Sequence, residues 1–228
     1  MCCISLLYII NTIVLEINNK QGYHPLGDAY GYYIGKLPQE IIEDNNFNIK
    51  EIENDFKNNQ TLHSKLEGEI EHEYIFPVSN LLKSYIVDLV DKYDKESNHL
   101  RKWYPNVNLE FSMPDVWVNF QKKHEYNPMH HHSGIFSWVI WHKIPYYFKD
   151  ELNTADYKKI KEINSDGQFV FYNIESEKRQ IKTYHMNIDK HMENTICIFP
   201  SSLNHAVYPF YSSDEYRITI SGNVRGII

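Results

Sequence analysis

Three consecutive histidines, His130, His131 and His132, follow a loop opened by Asn127-Pro128. They run directly into Ile135-Phe136-Ser137-Trp138-Val139-Ile140-Trp141, a β-branched and aromatic stretch that reads as a strand. Side chains two apart on an extended segment share a face, so His130 and His132 can reach one ion while His131 points away. Imidazole serves zinc, copper, iron and nickel alike, so the pair suggests a metal site without naming the metal. A solvated histidine-rich loop is the plain alternative. A second segment, Phe199-Pro200-Ser201-Ser202-Leu203-Asn204-His205, supplies another histidine after a turn, and Arg217 stands twelve positions beyond it. Arg217, Thr219 and Ser221 alternate with Tyr216, Ile218 and Ile220, the period of a strand with one polar face. A cation on that face suits an anion held beside the metal. Otherwise Arg217 is a rim residue paired with Asp214 or Glu215, a contact worth ~1 kcal/mol or less.

The order of these features, His-x-His, a following Ser-containing strand, a distal His after Phe-Pro-Ser and an Arg-x-Thr strand, resembles the iron(II)- and 2-oxoglutarate-dependent oxygenases. The likeness is greatest to the phage and marine-microbial branch related to prolyl hydroxylases. It covers roughly residues 116–224 and, more faintly, 66–74. Carried over residue by residue, it implies His130 and His205 as iron ligands and Arg217 as the partner of the distal carboxylate of 2-oxoglutarate, with the Thr219 hydroxyl joining that carboxylate. Asn119 and Tyr126 lie just upstream of the first ligand, where relatives often contact the cosubstrate. The resemblance implies Fe(II), 2-oxoglutarate and O2 as cofactors. It also implies hydroxylation of a C–H bond of a peptide, protein or small-molecule substrate, with succinate and CO2 released; a peptidyl proline is one candidate.

His132 departs from the family pattern, which usually places Asp or Glu there. Taken as the third ligand, it leaves the inner shell one negative charge poorer; if it is not a ligand, Asp115 or Glu125 is the next choice. Three-histidine iron sites occur in thiol dioxygenases, so a cupin-type dioxygenase without 2-oxoglutarate is the competing enzyme reading. Residues 200–205 match part of the second cupin motif, but Phe136 and Ser137 stand where that family expects a glutamate, and Arg217 favours the cosubstrate. A non-catalytic metal- or sugar-binding jelly roll is the reading from outside enzymology.

The elements that must position these residues follow from the rest of the chain. Its 228 residues, 42% hydrophobic and 14% aromatic, suit one compact domain with a sizeable core. A net charge of −7, from 23 basic and 30 acidic residues, argues against a nucleic-acid scaffold held by phosphate contacts. Three cysteines with no framework spacing favour a reducing compartment, hence the cytoplasm, or the host cytoplasm for a viral chain. The apolar start, 4–17, lacks a basic flank and is too short to span a bilayer, so it reads as a strand and not as a membrane segment. Residues 22–35, rich in Gly with one Pro, read as loop. Two short surface helices are expected over 37–60, and a longer one over 78–96 with Leu82, Ile86, Leu89 and Tyr93 on its apolar stripe.

From residue 108 onward short strands are expected at 109–113, 116–121, 134–143, 168–173, 180–188, 195–199, 206–208 and 216–224. With the family resemblance these imply a mainly β fold with N-terminal helices, whose core is a double-stranded β-helix, or jelly roll. The expected division is 1–107 as a strand and helices packing on the core and 108–228 as the catalytic jelly roll. The connection 144–167 reads either as a binding lid or as a surface insertion with a helix at 155–163. Trp117, Trp138 and Trp141 read as core. His124, His142, His185 and His191 are isolated and read as surface or internally satisfied histidines.

Overall fold

A computed structural model describes residues 10–15, 21–27, 30–57, 69–104, 110–154, 165–175 and 180–227. In the first half the elements are β1 (Ile10–Leu15), β2 (Gly22–Leu26), β3 (Tyr30–Lys36), α1 (Gln39–Lys57), β4 (His72–Ile75) and α2 (Asn80–Ser97). The second half contributes β5 (Glu110–Gln121), β6 (Asn127–His130), β7 (Phe136–Lys143), the short α3 (Phe148–Glu151), β8 (Gln168–Glu175), β9 (Gln180–Asn187), β10 (Thr195–Pro200), β11 (Asn204–Val207) and β12 (Arg217–Ile227).

From β5 onward the chain passes back and forth between two sheets. The seven-stranded sheet contains the order β10-β7-β12-β5 and the five-stranded sheet the order β9-β8-β11-β6, and neighbours within both sets are antiparallel. This path is the double-stranded β-helix expected from the motifs. Period-two patterning explains it. On β5, β7 and β12 one side carries Val116, Val118, Phe120, Phe136, Trp138, Ile140, Ile218 and Ile220, which join the helix-side core. The other side of the sheet, with Val139, Trp141, Cys197 and Phe199, meets Phe169, Phe171, Tyr184 and Met186 from the five-stranded sheet in a second core.

Helix α2 covers the outer face of the larger sheet. The Ser79 hydroxyl accepts the Leu82 N–H at 3.1 Å as N-cap, and Asn98 ends the helix in the left-handed region at φ 52°. Leu82, Ile86, Leu89 and Tyr93 are buried, as the stripe required, and the Tyr93 ring packs edge-on to Phe136 at 5.3 Å.

Several expectations need correction. Residues 22–35 are not loop: β2 and β3 pair antiparallel and add to the larger sheet through β10. The glycine that suggested a turn has another reason, since a Cβ on Gly31 would lie 2.3 Å from the Tyr23 ring that crosses it. The two short helices are one continuous α1. The predicted strands 109–113 and 116–121 are one strand, in which Pro114 lies beside a register shift between Asn223 and Arg225 on β12. Asn127–His130, expected as loop, pairs with β11. Of the apolar start, Ile10–Leu15 is a strand, parallel to β9; the remainder of 4–17, and the helix expected at 155–163, lie outside the described residues. Among the described residues no helix is long and apolar enough to cross a membrane.

Candidate active site

Between the two sheets lies a cavity of about 570 Å³ whose wall includes His130, His132, His205, Arg217, Thr219 and Asn119. Its histidine end is built on the smaller sheet. β6 and β11 pair with His130 directly opposite His205, which brings their rings to 4.3 Å between centroids. His132 follows two residues later, tied by its own N–H to the Ser201 carbonyl at 2.9 Å. Gly134 then turns the chain into β7 at φ 114°, a conformation side-chain-bearing residues rarely adopt. One ligand atom from each of the three imidazoles lies within 4.8 Å of the others, the only such His, Cys, Asp or Glu group among the described residues.

The tautomers are set by backbone. Nδ1 of His130 lies 2.7 Å from the Pro128 carbonyl and Nδ1 of His205 lies 3.0 Å from the Leu203 carbonyl. A carbonyl only accepts, so each Nδ1 carries the proton and each Nε2 keeps its lone pair for an ion. Burial pushes His132 down to about 4, aided by the neighbouring His130 and His131; burial, then His130 and His132, hold His205 well below the usual imidazole range. Both are therefore neutral at neutral pH, the form a metal requires.

The opposite end is built on the larger sheet. Arg217 is 1% exposed, and its hydrogen-bond partners among the described residues are neutral. Nε and Nη2 donate to Gln121 Oε1 at 3.0 and 2.6 Å, Nη2 also to the Tyr208 carbonyl at 2.9 Å, and Nη1 to the Tyr146 hydroxyl at 2.6 Å. Phe210 lies against the guanidinium at 5.4 Å and stacks on Tyr146 at 4.9 Å. Buried Glu151 fixes the following turn by accepting the N–H groups of Tyr211 and Ser212 at 2.8 and 3.0 Å and the Ser212 hydroxyl. The surface-pair reading of Arg217 fails, because Asp214 pairs with Lys123 at 2.5 Å and Glu215 with Lys143 at 2.6 Å.

Register orders the face between these ends. Arg217 is opposite Gln121, Thr219 opposite Asn119 and Trp141, and Ser221 opposite Trp117. Trp117 in turn lies 5.6 Å from the His132 ring. Thr219 and Asn119 thus occupy the row between guanidinium and imidazoles, and Asn119 Oδ1 is buried there with no partner among the described residues. Trp141, packed on Phe169 at 5.9 Å, is both core and cavity wall.

Tyr126 is 40% exposed and is not part of the cavity wall. Neither carboxylate considered as an alternative ligand joins the histidines: Asp115 pairs with Arg225 at 3.0 Å, and Glu125 accepts the Lys122 N–H at 2.8 Å. Sequence reasoning missed Gln121 and Tyr146, the two side chains that hold Arg217. Gln121 had a signal, since it continues the inward face of Trp117 and Asn119 at period two. Tyr146 had none.

Residues 115–223 match the family described as "Putative 2OG-Fe(II) oxygenase". No curated protein matches the chain significantly. Among solved structures it is similar to a Pseudomonas putida prolyl-4-hydroxylase, at 10% identity and TM-score 0.49 over 86% of this chain and 92% of that one. It is also similar to a viral collagen prolyl hydroxylase of Paramecium bursaria Chlorella virus-1, at 14% and 0.44 over 89% and 98%. A 2OG-Fe(II) oxygenase-family oxidoreductase from Burkholderia pseudomallei gives 14% and 0.40 over 85% and 84%. The matched stretch begins on β5 and ends on β12, the first and last strands of the jelly roll, and it contains both cavity ends: over these residues the chain is similar to the 2OG-Fe(II) oxygenase family.

Proposed function

We propose that this protein is an iron(II)- and 2-oxoglutarate-dependent oxygenase that hydroxylates a C–H bond of a peptide, protein or small-molecule substrate. The observation that carries the reading is one cavity with three convergent imidazoles at one end and, at the other, a buried guanidinium whose described partners are all neutral. The donor set fits the metal, because Nδ1 of His130 and of His205 faces a backbone carbonyl, which makes Nε2 the ligand atom, and His132 completes the group. The guanidinium fits the distal carboxylate, which it can receive with parallel hydrogen bonds. Residues 108–228 form the catalytic jelly roll in this reading, with 1–107 as its flank.

Iron(II), 2-oxoglutarate and O2, when bound, supply an oxidant for C–H bonds and release succinate and CO2. The chain's own part is positional. His130, His132 and His205 would hold the metal; Arg217 and Thr219 would anchor the far end of the cosubstrate; Asn119 would present its unpartnered amide oxygen along the way. Trp141, Phe169 and Phe199 line the cavity and limit water. Tyr146 keeps its proton, because burial pushes its phenol up more than Arg217 lowers it, so it accepts from Arg217 while donating to the Gly167 carbonyl at 3.2 Å. The guanidinium is thereby held before any cosubstrate arrives.

Anaerobic reconstitution with iron(II), with and without 2-oxoglutarate, tests the reading. A visible metal-to-ligand charge-transfer band that requires both is expected. Iron binding with no such band would move the assignment to a three-histidine dioxygenase that does not use 2-oxoglutarate, and no iron binding would move it to a silent jelly roll.

A further inference from the structure

Imidazole binds a metal only in its neutral form, so three histidine ligands bring no charge, and the described hydrogen-bond partners of Arg217 are neutral. A divalent ion in the cluster would therefore bring two positive charges into a cavity that already holds a third. Nearby carboxylates are engaged elsewhere: Asp115 with Arg225, Glu125 with the Lys122 N–H, Glu151 with the 211–212 turn, and Asp189 with the His191 N–H at 2.9 Å. Glu73 lines the cavity, but it stands on β4, across β5 from β12, and it is not one of the group whose ligand atoms converge on one point.

The two cationic centres are close. The Tyr208 carbonyl that holds Arg217 is three residues along the chain from His205, a span of roughly 10 Å. Aromatic rings wall the space between them, with Trp141 and Phe169 in contact, so screening by water is reduced. The guanidinium makes a cation harder to bind at the histidines. A dianion that reaches from one to the other removes that cost.

From this charge inventory we infer that metal and dicarboxylate are mutually required: His132, standing where a carboxylate would compensate the ion, makes metal retention depend on the bound cosubstrate. The inference rests on the oxygenase reading above. It makes the cosubstrate the missing negative charge of the metal site, and the protein holds its ion more weakly once the dicarboxylate leaves.

Manganese(II) is a suitable probe, because loss of the electron paramagnetic resonance signal of the aqueous ion reports binding without turnover. Manganese should bind the full chain weakly alone and on the order of 5- to 150-fold more tightly with saturating 2-oxoglutarate, and calorimetry should show 2-oxoglutarate tightened by the same factor, as reciprocity requires. In His132→Asp manganese alone should bind more tightly and the coupling factor should shrink. An equal or larger factor in His132→Asp overturns the inference. Failure of either ligand to bind the unaltered protein, even with the other present, sinks the oxygenase reading instead.

Should His132→Asp not fold, glutarate on the unaltered protein decides. It keeps both charges and lacks the keto oxygen, so it should still tighten manganese several-fold. No tightening would mean that chelation alone carries the coupling and would overturn the inference.

Discussion

The five-stranded sheet buries a histidine on each of its faces, and the two are treated differently. On the outer face His185 is 4% exposed; its Nδ1 meets Gln168 Oε1 at 2.6 Å and its Nε2 meets the Thr183 hydroxyl at 3.1 Å. On the inner face His205 is 3% exposed, with Nδ1 engaged by a carbonyl and the other side of its ring turned to His130 and His132. Burial lowers the pKa of both. Burial and a shifted pKa therefore do not separate a structural histidine from a candidate ligand; an uncommitted lone pair does. Arg217 repeats the lesson with charge, since its donors are engaged while its described partners leave the charge uncompensated.

The largest expected effect removes that charge. Arg217→Ala should weaken 2-oxoglutarate binding by about 10² to 10³, the size of a lost buried charge partner, and leave manganese affinity without cosubstrate no lower. Arg217→Lys should fall between, because an ammonium cannot reproduce the paired hydrogen bonds. Calorimetry on the manganese-loaded protein measures both; an unchanged constant in Arg217→Ala would end the cosubstrate assignment.

Next comes a direct contrast of the two faces. Alanine at His130, His132 or His205 should each weaken manganese at least ~10-fold, a loss seen even for residues behind the ligands. His185→Ala should leave manganese affinity unchanged while lowering the melting temperature, because Gln168 and Thr183 lose a buried partner. A His185 variant that lost metal would dissolve the distinction drawn between the two faces.

How much of this was legible follows the same division. The jelly-roll strands, α2 and the histidine-arginine order could be read because period and spacing carry them. β2 and β3 could not, because Gly31 reads as a turn signal and its actual task, clearing the Tyr23 ring, is set by a neighbouring strand. β6 was hidden by Pro128, tolerated there because β6 is an edge strand. Tyr126 shows the opposite error: nearness in sequence to His130 suggested a role, and the side chain is on the surface. Gln121 and Tyr146 act by holding another side chain, and such pairing over 96 and 71 positions leaves no local trace.

Acid should act more gently. His142 is pushed down to about 4, by burial first and then by Lys143, and its Nδ1 is buried without a hydrogen bond. An unfolded imidazole titrates near ~6.5, so the unfolded chain binds more protons than the folded one between that value and about 4. Stability is then complete above ~6.5 and falls as pH drops through that window. His142→Phe should flatten the fall by on the order of 1 kcal/mol, after allowance for solvent screening. Chemical denaturation from pH 7 to 4 with chelator present checks this, and an unchanged slope would mean that other groups carry the acid sensitivity.

The smallest effect tests the choice of His132 over a carboxylate. Asp115 lines the cavity, but its oxygen is 3.0 Å from Arg225 and both side chains are more than half exposed. Solvent screens such a pair and ordering two side chains opposes it, so Asp115→Asn should cost ~1 kcal/mol or less, most visibly at low salt. The amide keeps the size of the carboxylate and loses its charge, so the cavity wall should be undisturbed. Manganese affinity in Asp115→Asn should match the parent protein. A tenfold loss would make Asp115 a ligand in the loaded protein, drawn away from Arg225, and would return His132 to the position of a neighbour, where its ring against Trp117 at 5.6 Å would serve packing alone.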